Sequence, residues 1–327
     1  MAVLFTPLKF GSNTTSNKIG MSALTRNRST STVPSDIILK YYVQRAKGGA
    51  GLIVSEAVLI TRQDAEWQQT PGIWSQAQIE GWKTITDAVH GARSKIYAQL
   101  WHLGRIAHPA APEQIAAAIS ARGGKSRFLP GQPGYVTPTE VADPTILIAH
   151  FKQAAINAEE AGFDKVERHD ASGYLGGRPE NRARFALETL KALIKVWGSD
   201  VALKISLTGG YNDMRMPLQE TIDTFGHLLR EADKLGLSYV TLVRYGDLLR
   251  EANLGLSYVT LVRYNAHADV EFDGKMRATQ HDDVGTFSPF LTNTNIFVNS
   301  GVTPPKLSSL SRVGRPPACS SLWCGRR

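Results

Sequence analysis

The sequence predicts an α/β fold of the (β/α)8 TIM-barrel class, imperfect in its last βα units. Three observations predict it. Short β-branched apolar runs alternate with amphipathic stretches along most of the 327 residues. The alternation repeats on a step of roughly 30–45 residues, which suits parallel strands joined by right-handed crossovers. No G-x-G-x-x-G follows the first strand, which counts against a doubly wound dinucleotide-binding sheet.

The first strand is IGMSAL (19–24), and its helix is SDIILKYYVQRAKGG. GLIVSEAVLI (51–60) follows, with SQAQIEGWKTITDAVHGAR as its crossover. KIYAQLWHLG (95–104) is the third strand. The Gly/Pro-rich segment 121–144 after it reads as a long loop at the barrel mouth, ahead of the helix PTILIAHFKQAAINAEEAGF. KVERHDASG (165–173) and VALKISL (201–207) are strands followed by ENRARFALETLKALIKVWG and LQETIDTFGHLLREADKLG. SYVTLVRY (238–245) and NIFVNSG (295–301) complete a set of seven. Several helices close on a glycine suited to the residue after the C-cap.

Two features depart from a regular barrel. LLREADKLGLSYVTLVRY (228–245) is repeated almost at once as LLREANLGLSYVTLVRY (248–264), a local tandem duplication of a helix end and a strand. The copy either closes the barrel in place of a missing eighth strand or loops out. After VNSGVTP the chain turns rich in Ser, Arg and Pro and loses its periodicity. The expected division is therefore a (β/α) barrel over 1–304, the duplication included, and an irregular basic tail over 305–327.

The net charge of +8 is concentrated in that tail, where Lys306, Arg312, Arg315, Arg326 and Arg327 stand without an acid. The remainder is close to ordinary, which argues against a nucleic-acid stripe on a folded face. No run approaches a membrane span, and MAVLFTPLKF lacks the basic-then-apolar plan of a secretory signal. Cys319 and Cys324, the only two cysteines, stand too near the end to staple a core. The expectation is a cytoplasmic protein with a small-molecule substrate, no nucleic-acid or membrane partner and no metal site.

His169 and Tyr174 lie five residues apart at the end of a strand, placed either to pack as aromatics or to hold and protonate a substrate. The surrounding stretches carry a resemblance. LFTPLKFGSNTTSNKIGMSALTR, YYVQRAKGGAGLIVSEAV, PGIWSQAQIEGWKTITDAVH, AQLWHLGR, AAINAEEAGFDKVERHDASGYL, ENRARF and GGYNDM together resemble the old yellow enzyme family of FMN-dependent ene reductases. That family includes the oxophytodienoate reductases. The resemblance implies FMN at the C-terminal mouth of the barrel, hydride from NADPH or NADH, and reduction of the C=C bond of an α,β-unsaturated carbonyl compound. Thr25 would hydrogen-bond a flavin carbonyl, with Ala23 and Ala57 beside the ring. Gln99 would meet the pyrimidine edge, and Lys204 the N1 region. Trp101 would line the substrate pocket, His169 and Ser172 would clamp the substrate carbonyl, and Tyr174 would protonate the α-carbon. Ser300 and Gly301 would begin the phosphate cradle.

The chemistry suits those residue types. Hydride addition builds enolate charge on a carbonyl oxygen, so a preorganised donor lowers the barrier. A phenol of pKa about 10 stays protonated at neutral pH and can serve a carbanion-like centre. Where the family carries Asn or His, this chain has Ser172; where it carries arginine, Lys204; and LGGRP replaces a long lid. The strand that should complete the phosphate cradle is missing before Gly314 and Arg315, so FMN is expected to bind weakly. Two other readings stay open: a flavin-poor barrel using Tyr174 and His169 for non-redox acid/base chemistry, and a catalytically inactive family member.

Overall fold

The computed structural model describes residues 5–62, 69–104, 141–170, 177–198, 200–206 and 218–243, and the strand residues 258–262, 271–272, 275–276, 295–299 and 319–320. The chain opens with a hairpin, β1 (Leu8–Phe10) and β2 (Asn13–Thr15), antiparallel in register. Gly11 turns it at φ 52°, and a Cβ there would meet Asp200 Oδ1 at 2.0 Å, so only glycine fits. The Ser12 N–H donates to Asp200 Oδ2 at 2.8 Å and ties the turn to the sheet.

The main sheet then runs in chain order and parallel throughout: β3 (Gly20–Met21), β4 (Leu52–Leu59), β5 (Lys95–Trp101), β6 (Lys165–Asp170), β7 (Ala202–Ser206), β8 (Tyr239–Val243) and β9 (Tyr258–Val262). A small antiparallel pair, β10 (Glu271–Phe272) and β11 (Lys275–Met276), precedes β12 (Asn295–Asn299) and β13 (Cys319–Ser320), which complete the sheet. Five helices cross between strands: α1 (Asp36–Lys47), α2 (Gln76–Gly91), α3 (Pro144–Glu160), α4 (Pro179–Trp197) and α5 (Leu218–Asp233). This is the predicted alternation, and the seven predicted strands fall on β3 to β8 and β12.

The sheet curls. Tyr97 on β5 and Tyr239 on β8 are three strands apart, roughly 14 Å in a flat sheet at 4.8 Å per strand. Their rings nevertheless stack with centroids 6.1 Å apart. Leu52 on β4 and Ala202 on β7 join them in one buried cluster, with Leu8 of the hairpin against it. The Asn13 side-chain amide donates to the Tyr97 hydroxyl at 3.1 Å. The hairpin thus stoppers the N-terminal end of the barrel.

The outer layer follows from the helical periodicity. Ile38 and Tyr42 of α1, Ile79, Trp82, Ile85 and Val89 of α2, and Leu147 and Phe151 of α3 bury one face against the sheet. Caps set the starts. The Gln78 side-chain oxygen accepts from the backbone N–H groups of Trp74 and Ser75 at 2.8 and 3.0 Å, and Asp143 accepts from Thr145 N–H at 2.9 Å ahead of Pro144. Gly198 ends α4 at φ 66°.

The duplicated strand does not loop out, nor does it stand at the end of the sheet in place of the eighth strand. β9 lies between β8 and β12, and it pairs with its own template in register: Val240 with Val259, Thr241 with Thr260, Leu242 with Leu261. An identical side-chain pattern aligns the same alternate residues on each face, so the copy extends the sheet without reversing which residues face in. Two residues of the basic tail, Cys319 and Ser320, also pair with Phe297 and Val298. The tail therefore contributes a short strand to the sheet that its composition did not predict.

Candidate active site at the barrel mouth

Alternate residues of each strand point into the barrel, so a position's place along its strand sets its depth. Above the apolar floor comes a polar level. Gln99 Nε2 donates to Glu167 Oε1 at 2.5 Å, and Thr241 Oγ1 donates to Glu167 Oε2 at 3.1 Å. Lys204 pairs in register with Thr241 on one side and His169 on the other. Burial pulls the Lys204 ammonium below its ordinary pKa, and the Glu167 carboxylate partly offsets this.

One step higher, Trp101 and His169 pair in register and stack, with ring centroids 5.9 Å apart and planes inclined by 27°. The His169 ring is half-buried, and among the described residues its Nδ1 atom has no hydrogen-bond partner. Burial, then the charges of Lys204 and Arg168, hold its pKa well below the ordinary histidine value. The imidazole is therefore neutral, with one N–H to donate and one nitrogen to accept. An orphaned buried nitrogen costs on the order of 1–3 kcal/mol, so at the open end of a barrel it is a natural place for a ligand.

Ala57 packs with Leu59, Trp101 and Leu103 at the end of β4, and Trp74 lies against them. The register of β4 against β5 shifts between Val54 and Ala57, a bulge that re-aims the strand end. Within it Ser55 Oγ accepts from Gln99 N–H at 3.1 Å, and the Glu56 side chain leaves the barrel wall. Glu56 Oε2 accepts the backbone N–H groups of Arg26 and Asn27 at 2.9 and 3.1 Å. Burial raises the Glu56 pKa, and those two N–H donors pull it back. Glu56 thereby anchors the segment that carries Ala23 and Thr25, both partly exposed just after β3.

Of the residues expected at the site, the structure brings Gln99, Lys204, His169 and Trp101 together on the inward faces of neighbouring strands, with Ala57 packed in the cluster that holds Trp101. Thr25 and Ala23 approach through the Glu56 anchor. Ser172, Tyr174, Ser300 and Gly301 lie outside the described residues. Glu56 and Glu167 were missed by the sequence reading. Glu56 is a lone carboxylate inside the apolar strand LIVSEAVL, and that contradiction of the pattern was the available signal; Glu167, in the charged run KVERHD, stands out by no such signal. Arg168, between Glu167 and His169 on β6, points the other way. It is fully buried outside the barrel, with its guanidinium carbon 5.4 and 5.6 Å from the ring centroids of Phe151 on α3 and Phe185 on α4.

A family model described as the NADH:flavin oxidoreductase / NADH oxidase family matches residues 3–244. The chain belongs to this family. It is 38% identical over 267 residues to the chanoclavine-I aldehyde reductase of Penicillium roqueforti, covering 74% of this chain and 70% of that one. It is 37% identical over 263 residues to a protein of Epichloe festucae var. lolii named a probable inactive reductase, covering 73% of this chain and 67% of that one. Among solved structures, the old yellow enzyme homologue of Zymomonas mobilis superposes with a TM-score of 0.74 at 26% identity, over 98% of this chain and 88% of that one. The old yellow enzyme resemblance and the TIM-barrel class both hold, and the chain is an oxidoreductase of the NAD(P)H:flavin type. Members of this family bind FMN and draw on a nicotinamide nucleotide. No helix among the described residues is long and apolar enough to cross a membrane.

Proposed function

We propose that this chain is an FMN-dependent ene reductase that uses NADPH or NADH to reduce the C=C bond of an α,β-unsaturated aldehyde or ketone. The observation that carries the reading is His169: a neutral imidazole stacked on Trp101, next in register to a half-buried lysine, with one ring nitrogen unpartnered among the described residues. The donor set fits a flavin. Gln99 offers an amide oxygen and Lys204 an ammonium to a ring edge that alternates carbonyl and imine acceptors with one N–H, and Ala57 and Trp101 offer apolar walls.

FMN bound here would supply the hydride chemistry, from the nicotinamide to the β-carbon of the alkene. The protein's own groups do the rest. Lys204 sets positive charge beside the pyrimidine edge, where reduction builds negative charge. Thr25 would hydrogen-bond a flavin carbonyl, with the backbone at Ala23 and Ala57 beside the ring, and Ser300 and Gly301 are the residues expected to begin the phosphate site. The His169 N–H donates to the substrate carbonyl oxygen, with Ser172 as the expected second donor. As a fixed donor it is worth most in the transition state, where that oxygen becomes an enolate. Tyr174 delivers a proton to the α-carbon.

The test separates the half-reactions. The protein is loaded with FMN, reduced anaerobically with NADPH or NADH, and mixed with an enal while flavin absorbance is followed. Tyr174→Phe should leave reduction by the nicotinamide intact and slow reoxidation by the alkene on the order of 10²–10⁴-fold. Equal rates of reoxidation in the variant and the parent would remove Tyr174 from the role. Failure of the parent to bind FMN at all would overturn the redox reading.

A further inference from the structure

Glu167 stands at the centre of the polar level without a part in the roles above. It is 2% exposed, on β6 between the strands that carry Gln99 and Lys204. Both of its oxygens are used, one by the Gln99 amide at 2.5 Å and the other by the Thr241 hydroxyl at 3.1 Å. Its register partner on β7 is Ala202, two residues before Lys204 on the same inward face, and it is the opposite charge that offsets burial at that lysine.

An ionised carboxylate only accepts, so it decides which end of a neighbouring amide turns toward it. Gln99 commits its nitrogen to Glu167, and its carbonyl oxygen remains as the acceptor for a ligand N–H. A flavin pyrimidine edge alternates carbonyls with one N–H, so a flipped amide would present the wrong partner. The ammonium of Lys204 has a similar need. A buried cation without an anion sheds its proton, and a neutral amine gives no charge to an anionic ring.

We propose that Glu167 is a positioning residue for the cofactor site, fixing the orientation of the Gln99 amide and serving as the buried counter-charge to Lys204. The inference rests on the FMN reading through those two residues, and its effect on the protein itself is independent of any ligand. Glu167→Gln isolates it. Glutamine keeps the size and a hydrogen bond to Thr241, removes the charge, and can meet the Gln99 amide in either orientation.

The experiment has a ligand-free arm and an FMN arm. In apoprotein with ¹³C-methylated lysines, the Lys204 resonance is assigned through Lys204→Arg, and its titration midpoint is compared in the parent and in Glu167→Gln. The midpoint should fall by about one pH unit or more when the carboxylate is lost. FMN affinity, from quenching of flavin fluorescence, should weaken roughly tenfold, about the worth of one well-placed hydrogen bond. Wild-type apoprotein gives a third measurement that survives misfolding of the variant: the Gln99 side-chain NH2 should show one strongly downfield, exchange-protected proton. An unmoved Lys204 midpoint, or an ordinary fast-exchanging Gln99 amide, overturns the proposal. Absence of FMN binding in the parent overturns the redox reading instead and leaves the ligand-free arm to decide on Glu167.

Discussion

The two ends of the barrel are built from the same strands and differ in almost every physical respect. Tyr97 and Trp101 are four residues apart on β5, and Ala202 and Lys204 two apart on β7. At the floor the inward residues are apolar or aromatic, mutually packed and covered by the hairpin, and the Tyr97 hydroxyl is satisfied by Asn13. Toward the mouth the inward residues are an amide, a carboxylate, an ammonium and an imidazole, and His169 keeps a buried nitrogen without a partner among the described residues. The floor maximises apolar and aromatic burial, with the Tyr97 and Tyr239 rings stacked beneath the site. The mouth forgoes some of that stability to hold groups in readiness for a ligand. Sites are expected to break local rules of stability in this way.

The largest test of the contrast is at the floor. Tyr97→Ala should cost roughly 3–5 kcal/mol, the range of large aromatic truncations in a packed core. It removes the stack on Tyr239 and leaves a cavity under the site. Urea unfolding would check it, and a loss below about 1 kcal/mol would mean that the floor is not a packed layer.

The opposite result is expected at the mouth. His169→Phe should leave stability unchanged or slightly raised, since an apolar ring replaces one with an orphaned nitrogen. Turnover of an enal should fall on the order of 10²-fold or more, as for loss of one oxyanion donor. A variant as active as the parent would break the comparison at its functional end.

Acid should separate the ends next. Burial holds His169 well below the ordinary histidine pKa and brings His102 down to about 3. The unfolded chain therefore binds protons on these groups first, from about pH 6.5 downward. Their contribution to stability is fully present above that pH, and it is lost progressively toward the folded values. Each histidine adds up to about 1.4 kcal/mol per pH unit to the slope. His169→Phe should remove its share, measured as urea stability against pH. Glu56 opposes the trend. Its folded pKa is raised, so its own contribution falls as pH rises through the carboxylate range.

The smallest effect is again at the floor. Asn13→Ala deletes the hydrogen bond to the Tyr97 hydroxyl and should cost about 1 kcal/mol, with FMN affinity untouched. A change in FMN affinity would show that the hairpin and the mouth are coupled through the barrel.

Much of this was legible without coordinates. β-branched runs and amphipathic stretches are local signals, readable wherever side chains repeat with the period of their element, and they placed the seven strands and five helices to within a few residues. Gln99, His169 and Lys204 were legible through the family resemblance of the stretches that carry them, not through composition or periodicity. The duplication was evident as a repeat. Its position in the sheet was not, because pairing with β8 on one side and β12 on the other is a contact between distant parts of the chain.

The sequence by itself determined which residues alternate, which strands are buried and where polar groups interrupt them, since those depend on neighbours along the chain. Tertiary structure alone decided that the sheet curls until Tyr97 meets Tyr239, and that Glu167 reaches Gln99 and Thr241. It also decided that Glu56 caps the backbone after Thr25, and that Arg168 faces out between Phe151 and Phe185 while His169 faces in. Each of these joins residues separated by tens of positions. Strand periodicity assigns a side chain to one of two faces, and only closure of the sheet makes one face an interior.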